Sequence, residues 1–174
     1  DIEYKNININ FEDKEGVAAI VNKENEEMSK SPVYDETNEE ANYNHLISAK
    51  FAKYEIIHYV DYITLVVNKY SFDYKTIITT LGSDVYVFDK TTGKLYNNDE
   101  LLSKFSVNKD DINEKVKTYL NDKNLLSEEN KIDVEQTISN NTKNNLYVDK
   151  LGRLVISILV KAEKSDYNDI IVLS

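Results

Sequence analysis

The sequence predicts an α+β domain in which an antiparallel sheet of about six to eight strands packs against about two to three helices. Segments dense in Ile, Val, Thr, Tyr and Phe follow one another in the first half of the chain. Apolar residues at helical spacing follow in the second half. Strands and helices are therefore grouped in blocks, which favours α+β over an alternating α/β fold, and short breaks between strands favour an antiparallel meander.

The chain begins with a predicted strand and a predicted helix. Residues 7–11 alternate apolar with polar side chains, which is the period of a half-buried strand. Residues 15–30 form a charged segment whose apolar side chains fit one face of a helix. Pro32 ends this helix, because Pro disfavours helical conformation in the residue before it. The acidic segment 34–44 is predicted to be a solvated loop.

Four strand-like runs follow, with short turn-prone breaks between them. They cover residues 46–60, 62–70, 74–80 and 84–89. The last run leaves through a turn at Gly93, a residue type that can take the positive φ such turns require.

The second half of the chain contains the predicted helices. Asn97 or Asn98 caps the first, and Asn108 caps the second, whose apolar residues recur at clear helical spacing. The predicted helices cover residues 98–105, 108–120 and 132–139, with residues 121–130 as a loop.

Three further strands complete the chain, which is predicted to form one domain over residues 1–174. Residues 146–148 form the first, residues 149–152 turn it back, and residues 170–173 form the last. The run between them, residues 154–160, is the most apolar in the sequence and predicts a central strand.

Composition excludes several classes of function. The formal charge is −10, from 31 acidic and 21 basic residues, and Arg153 is the single Arg. Nucleic-acid binding requires clustered cations and is not expected. The absence of Cys excludes disulfides, thiolate metal sites and Cys nucleophiles. Acidity favours cationic partners, although it also serves simply to keep a protein soluble.

The residue patterns of common catalytic and metal sites are absent. His45 and His58 lack zinc-ligand spacing, no G-x-S-x-G elbow occurs, and Gly93-Lys94 lacks the rest of a phosphate-binding loop. We therefore expect no enzyme activity, no cofactor and no bound metal. The many carboxylates leave a hydrolase open as an alternative. No apolar run approaches the ~18–20 residues that span a bilayer, and the abrupt, strand-like start suggests a trimmed piece of a longer protein.

Aromatic residues are the one positive indication of function. The chain has 13 Tyr and 5 Phe, and many of the Tyr lie in the central strands. Tyr combines a rigid apolar ring with a polar tip, which suits protein interfaces and stacking on sugars. Strand propensity and an AT-rich coding sequence explain the same enrichment without any function.

Three segments resemble a known family. They are YEIIHYVDYITLVV at 54–67, SDVYVFDKTTGKLYNNDELLSKF at 83–105, and LYVDKLGRLVISILV at 146–160. With its F-D-x-x-T-G-K turn at 88–94, this pattern resembles the RsiV-like family of extracytoplasmic domains, which also occurs beside PdaC-type catalytic domains in low-GC Gram-positive bacteria. The resemblance implies a cell-surface or secreted location and recognition of a protein or of the cell wall. It implies no catalytic residue.

The sequence therefore predicts a non-catalytic extracytoplasmic binding domain. Its ligand would be a lysozyme-like cationic protein, an envelope protein or peptidoglycan, with no nucleic acid and no membrane span. A cell-wall carbohydrate-binding or hydrolytic domain, and a structural spacer, are the alternatives. The candidate ligand-binding residues lie in the acidic loop and on the strands: Tyr34, Asp35, Glu36, Glu39, Glu40, Tyr59, Tyr62 and Tyr70.

Overall fold

The structure is a computed structural model that describes residues 14–30, 33–35, 45–75 and 77–174. The strands in this part of the chain are β1 Val33–Asp35, β2 His45–Tyr59, β3 Tyr62–Asp73, β4 Ile77–Asp89, β5 Asn145–Val148, β6 Leu154–Val160 and β7 Tyr167–Val172. The helices are α1 Lys14–Ser29, α2 Asn98–Lys104, α3 Asp110–Leu126 and α4 Val134–Asn140. The α+β class is confirmed. The described strands form two antiparallel sheets, however, where the sequence predicted one, and the described helices number four.

The first sheet is a meander in the order β1-β2-β3-β4, as the short breaks between strands predicted. Its long strands differ from the prediction at the break near residues 81–83. This segment does not turn the chain; it is an irregularity inside β4, where the register against β3 shifts between Lys69 and Tyr70. Gly82 lies at this point with φ +102°. A bulge inserts an extra residue without ending the strand, which is why two predicted runs form one strand.

The second sheet has the order β5-β6-β7 and supplies half of the buried residues of the main core. β6 is the central strand, as predicted, and is buried along almost its whole length. One face of the first sheet packs on it, through Val66 and Val87. The Thr64 hydroxyl crosses between the sheets and donates to the carbonyl of Val148 at 3.2 Å. α3 packs on this core with Ile112, Val116 and Leu120, the side chains that its periodicity predicted.

Of the three helices after β4, α2 and α4 begin at polar caps, whereas the Lys109 side chain at the start of α3 makes no capping hydrogen bond. Asn97 and Glu100 form a capping box at α2, and the Asp133 side chain accepts from the backbone of α4, so both predicted helices are confirmed. α3 is longer than predicted, because residues 121–126 continue the helix instead of forming a loop. Two side chains of this last part bond elsewhere: Lys123 to Asp169 at 2.5 Å, and Asn124 to the backbone of Ile132. Such long-range contacts are not visible in local sequence.

α1 covers the opposite face of the first sheet and confirms the helix predicted at residues 15–30. Beneath it lies a second, smaller cluster of buried residues. This cluster consists of Ile63, Leu65, Val67 and Phe88, with Ile20, Ala52, Tyr54 and Tyr86 packed against it.

The start of the acidic segment, predicted to be a loop, lies in a strand. Tyr34 and Asp35, predicted to lie in a loop, form the end of β1, which pairs with the start of β2. Backbone pairing overrides the polar composition of this segment. The predicted strand at residues 7–11, Pro32 and the rest of the acidic segment lie outside the described residues.

Candidate binding surface at the distal end of the first sheet

The end of the first sheet far from the β2–β3 turn carries a group of apolar side chains on one face. In β2 and β3, Phe51 pairs directly with Tyr70, and the next pair on this face brings Phe72 beside Ile78 of β4. Directly paired residues of antiparallel strands project to the same side of a sheet. We call Phe51, Tyr70, Phe72 and Ile78 the distal patch.

Stacking orders the centre of the distal patch. The rings of Phe51 and Tyr70 lie 5.1 Å apart between centroids, with 19° between their planes. The Lys53 ammonium lies 5.7 Å from the centre of the Tyr70 ring, on the side of the pair toward the main core. Ring stacking and a nearby cation both favour this orientation of the Tyr70 ring.

The second sheet leaves the distal patch uncovered. It meets the first sheet near the bulge, where Gly82 lies against Leu159 and the Asn145 amide donates to the carbonyl of Ser83 at 2.7 Å. Beyond that point the patch residues belong to neither buried cluster. Ile78 is 56% exposed, and the three rings are partly exposed. Exposed apolar side chains grouped in this way make the distal patch a candidate binding surface.

The structure brings some of the predicted site residues to this end of the molecule. Tyr70 is part of the distal patch. β1 places Tyr34 opposite Leu46 and Asp35 opposite His45, at the same end of the sheet. Glu36, Glu39 and Glu40 lie outside the described residues.

Tyr59 and Tyr62 lie at the opposite end, beside the β2–β3 turn, roughly 26 Å from Tyr70 along β3 at the usual rise of a strand. Both pack against the main core. The Tyr59 ring rests on Gly152, where an added Cβ would lie 2.2 Å from the Tyr59 Cζ. These two Tyr are therefore not part of one surface with Tyr70, and their contacts are those of packing residues.

A buried group of charges lies on the other face of the sheet and was missed in the sequence. Lys69 of β3 contacts three carboxylates: Asp84 at 2.6 Å, Glu27 at 3.1 Å and Glu24 at 3.5 Å. Glu24 belongs to α1 and its side chain is fully buried against the sheet, while that of Lys69 is 15% exposed. The Tyr86 hydroxyl donates to Glu24 Oε1 at 2.6 Å. We call these five residues the ionic cluster.

Burial and charge shift the pKa values within the ionic cluster in opposite directions. Burial raises the pKa of Glu24 above its usual range, and the opposing effects of Tyr86 and Lys69 are smaller. Burial would also raise the pKa of Asp84, but the hydrogen bond and charge of Lys69 outweigh it and hold the pKa low. Lys69 itself is desolvated, yet its carboxylate partners raise its pKa, so it stays charged.

The sequence did contain a sign of this arrangement. Glu24 lies four residues after Ile20 and four before Met28, so a helix places all three on one face. Met28 is 1% exposed, and Ile20 packs on the smaller cluster. A carboxylate at the centre of an apolar helix face indicates a buried partner, and the partner Lys69 is far away in sequence.

Two features of the described residues bear on metal binding and catalysis, namely the clustering of possible metal ligands and a groove that contains carboxylates. Among them no group of three or more His, Cys, Asp or Glu side chains is placed to hold a metal ion. A groove of about 530 Å³ between α3 and the start of α4 contains the carboxylates Asp133, Glu135 and Glu163, but its lining has no aromatic residue. Asp133 is also engaged as the cap of α4. None of the described helices has the length and apolarity needed to cross a membrane.

Comparison with protein-family models finds no matching family, and comparison with curated proteins finds no matching relative.

Proposed function

We propose that this chain is a non-catalytic binding domain of a bacterial cell-surface or secreted protein, and that it recognises its ligand with the distal end of the first sheet. The observation that carries this proposal is the partly exposed Phe51–Tyr70 stack beside the 56% exposed Ile78. The resemblance of residues 54–67, 83–105 and 146–160 to the RsiV-like family supports the extracytoplasmic location.

The chemistry of this surface favours a protein ligand. Aromatic side chains fixed by stacking contribute apolar contact area with little loss of conformational entropy on binding. The chain as a whole carries a formal charge of −10, which attracts a cationic partner and speeds its association. A basic protein of the lysozyme type would offer both a positive charge and a protein surface for the aromatic side chains to contact.

The test is a calorimetric titration with lysozyme at about 50 mM and about 300 mM salt, since salt screens attraction that is due to net charge alone. We expect saturable 1:1 binding at both salt concentrations. Tyr70→Ala should weaken the affinity by about tenfold or more, as loss of a central aromatic residue does in protein interfaces.

Leu125→Ala is the matched control, because Leu125 is an apolar side chain that is 82% exposed at the end of α3, away from the first sheet. It should leave the affinity unchanged. Binding that disappears at the higher salt, or that Tyr70→Ala and Leu125→Ala affect equally, would overturn the proposal for a lysozyme-like ligand. Replacing Glu36, Glu39 and Glu40 by Ser then tests whether the acidic segment contributes.

Cell-wall carbohydrate is the second candidate ligand, and the same stacked pair supports it. Sugars bind to aromatic faces of this kind, with Lys53 beside the ring as a hydrogen-bond donor. Sedimentation with purified peptidoglycan measures this binding directly. Co-sedimentation of the unmodified domain, lost in Tyr70→Ala and kept in Leu125→Ala, would favour this ligand; no co-sedimentation would exclude it.

A further inference from the structure

The contact between α1 and the first sheet has an unusual feature at its centre. Glu24 is fully buried, and its Oε2 accepts no hydrogen bond within the described part of the chain. The nearest cation, Lys69 Nζ, lies 3.5 Å from this oxygen and is shared with Glu27 and Asp84. An ionised carboxylate with an unsatisfied buried oxygen is costly, because nothing replaces the water it loses.

A proton on Glu24 removes this cost. The protonated carboxyl is neutral, and its O–H becomes a donor that can reach Asp84, since the two carboxyl groups interact directly. Tyr86 still donates to Oε1, so both oxygens of Glu24 then have a hydrogen bond. Lys69 remains bound to Asp84 and Glu27.

We propose that α1 is a proton-controlled latch, which is held firmly against the first sheet when Glu24 carries a proton and loosens when Glu24 is ionised. Loosening weakens the cover over the face of the sheet that carries Leu65 and Val67. This device is independent of the distal patch, which lies on the other face.

The direction of the pH dependence follows from the groups that face Glu24. Burial raises the pKa of Glu24 above its ordinary 4.5, so the docked helix binds this proton more tightly than the free helix does. The resulting stabilisation is complete below about pH 4.5 and is lost as the pH rises through the raised pKa. Tyr54 and Tyr86, whose pKa values are also raised, stay neutral in this range.

The other charged groups determine how low the pH can fall before the docking of α1 weakens again. Asp84 has a lowered pKa, so its contact with Lys69 is lost only as the pH falls below its ordinary 3.8. Lys143 lies 3.4 Å from Asp84 and is largely exposed, so it adds little. Docking of α1 should therefore be tightest in mildly acidic solution and weaker at neutral and alkaline pH.

Hydrogen exchange of the α1 amides measures docking directly, because exchange requires local opening. The unmodified domain is compared at about pH 5 and about pH 7.5, with rates corrected for the intrinsic pH dependence of exchange. We expect the protection of α1 to fall severalfold at the higher pH, while the protection of α3 does not change. Equal α1 protection at the two pH values would overturn the proposal.

Two variants test whether Glu24 causes the pH dependence of α1 protection. Glu24→Gln keeps the shape of the side chain and cannot ionise, so α1 should stay protected at both pH values. Glu27→Gln is the matched control, because Glu27 also contacts Lys69 but is 39% exposed, and it should keep the pH response. A pH response that persists in Glu24→Gln would contradict the latch.

Tyr86→Phe provides a second test that does not replace the carboxyl group. The hydrogen bond from Tyr86 favours the ionised form of Glu24, so its removal should increase the loosening of α1 at about pH 7.5 relative to about pH 5. An unchanged ratio of the two protection values would count against the proposal.

Discussion

The two faces of the first sheet are covered in different ways. One face joins the main core, which extends through β6 to α3 and consists almost entirely of aliphatic side chains such as Leu154 and Leu120. The other face is covered by the single helix α1, over a smaller apolar cluster that borders the ionic cluster of Lys69 and Glu24. The same strands, β3 and β4, therefore contribute to an apolar core on one side and to a partly ionic contact on the other.

The main core and the contact under α1 should therefore differ in how much they stabilise the domain and in how strongly they depend on pH. Apolar burial stabilises in proportion to the area removed from water and does not depend on pH. Ionic contacts under α1 gain Coulomb energy but lose hydration, so their net contribution is small and changes with protonation. We expect the main core to determine global unfolding and α1 to open before it. Three predictions test this division.

The largest effect should come from Leu154→Ala in β6. Leu154 is fully buried at the centre of the main core, and truncation of such a side chain costs about 2–5 kcal/mol of the free energy of unfolding. Denaturant unfolding measures this cost. We expect one cooperative transition with a lowered midpoint and an unchanged slope.

Met28→Ala on α1 is the matched comparison, because Met28 is buried to the same degree. Its effect on global unfolding should be smaller than that of Leu154→Ala, since the loss is limited to the free energy with which α1 docks. Its effect on hydrogen exchange should be confined to α1. Equal costs for the two variants would show that α1 and the main core unfold as one unit.

Lys69→Met should have the next largest effect, and it should fall on α1. The variant leaves Glu24, Glu27 and Asp84 facing one another without their shared cation. Removal of one partner from a fully buried ion pair costs about 3–5 kcal/mol, and the partial exposure of this cluster reduces the expected loss of docking to about 1–3 kcal/mol. Exchange of the α1 amides measures it.

Lys143→Met is its control. Lys143 also contacts Asp84, but it is 72% exposed, so its loss should change docking by less than about 0.5 kcal/mol. A Lys143 effect as large as that of Lys69 would mean that net charge, and not the buried contact, holds the helix.

The sequence predicted the elements of the main core well and the ionic cluster not at all. Leu154–Val160 is an apolar run with a single polar residue, Ser157, and the helical spacing of Ile112, Val116 and Leu120 is local information. The bulge at Gly82 was not predictable, because a Gly in a polar segment looks the same in a turn and in a bulge.

The candidate site was predictable only in part, because its residues meet through strand register. Tyr70 was predicted, but its stacking partner Phe51 was not, since a shift of one residue in the pairing would place Phe51 on the opposite face. Tyr59 and Tyr62 were predicted by the same aromatic criterion. The structure packs them, partly buried, against the main core, and which Tyr does so depends on contacts between distant segments.

The smallest effect should come from Asn97→Ala, at the start of α2. Asn97 accepts from the backbone of Glu100 at 2.8 Å, and the Glu100 carboxylate accepts from the backbone of Asn97 at 3.0 Å. Loss of such a cap costs about 0.5–2 kcal/mol. Because α2 packs on the main core through Leu101 and Leu102, this loss should appear in global unfolding while α1 exchange at low denaturant stays unchanged.

Lys109→Ala is the control for the cap, since Lys109 occupies the same position before α3 and its side chain makes no capping hydrogen bond. It should change global stability by less than about 0.5 kcal/mol. If Asn97→Ala instead increased exchange in α1 as strongly as in α2 and α3, the two faces of the first sheet would be coupled, and the division between a stabilising core and a responsive helix would have to be abandoned.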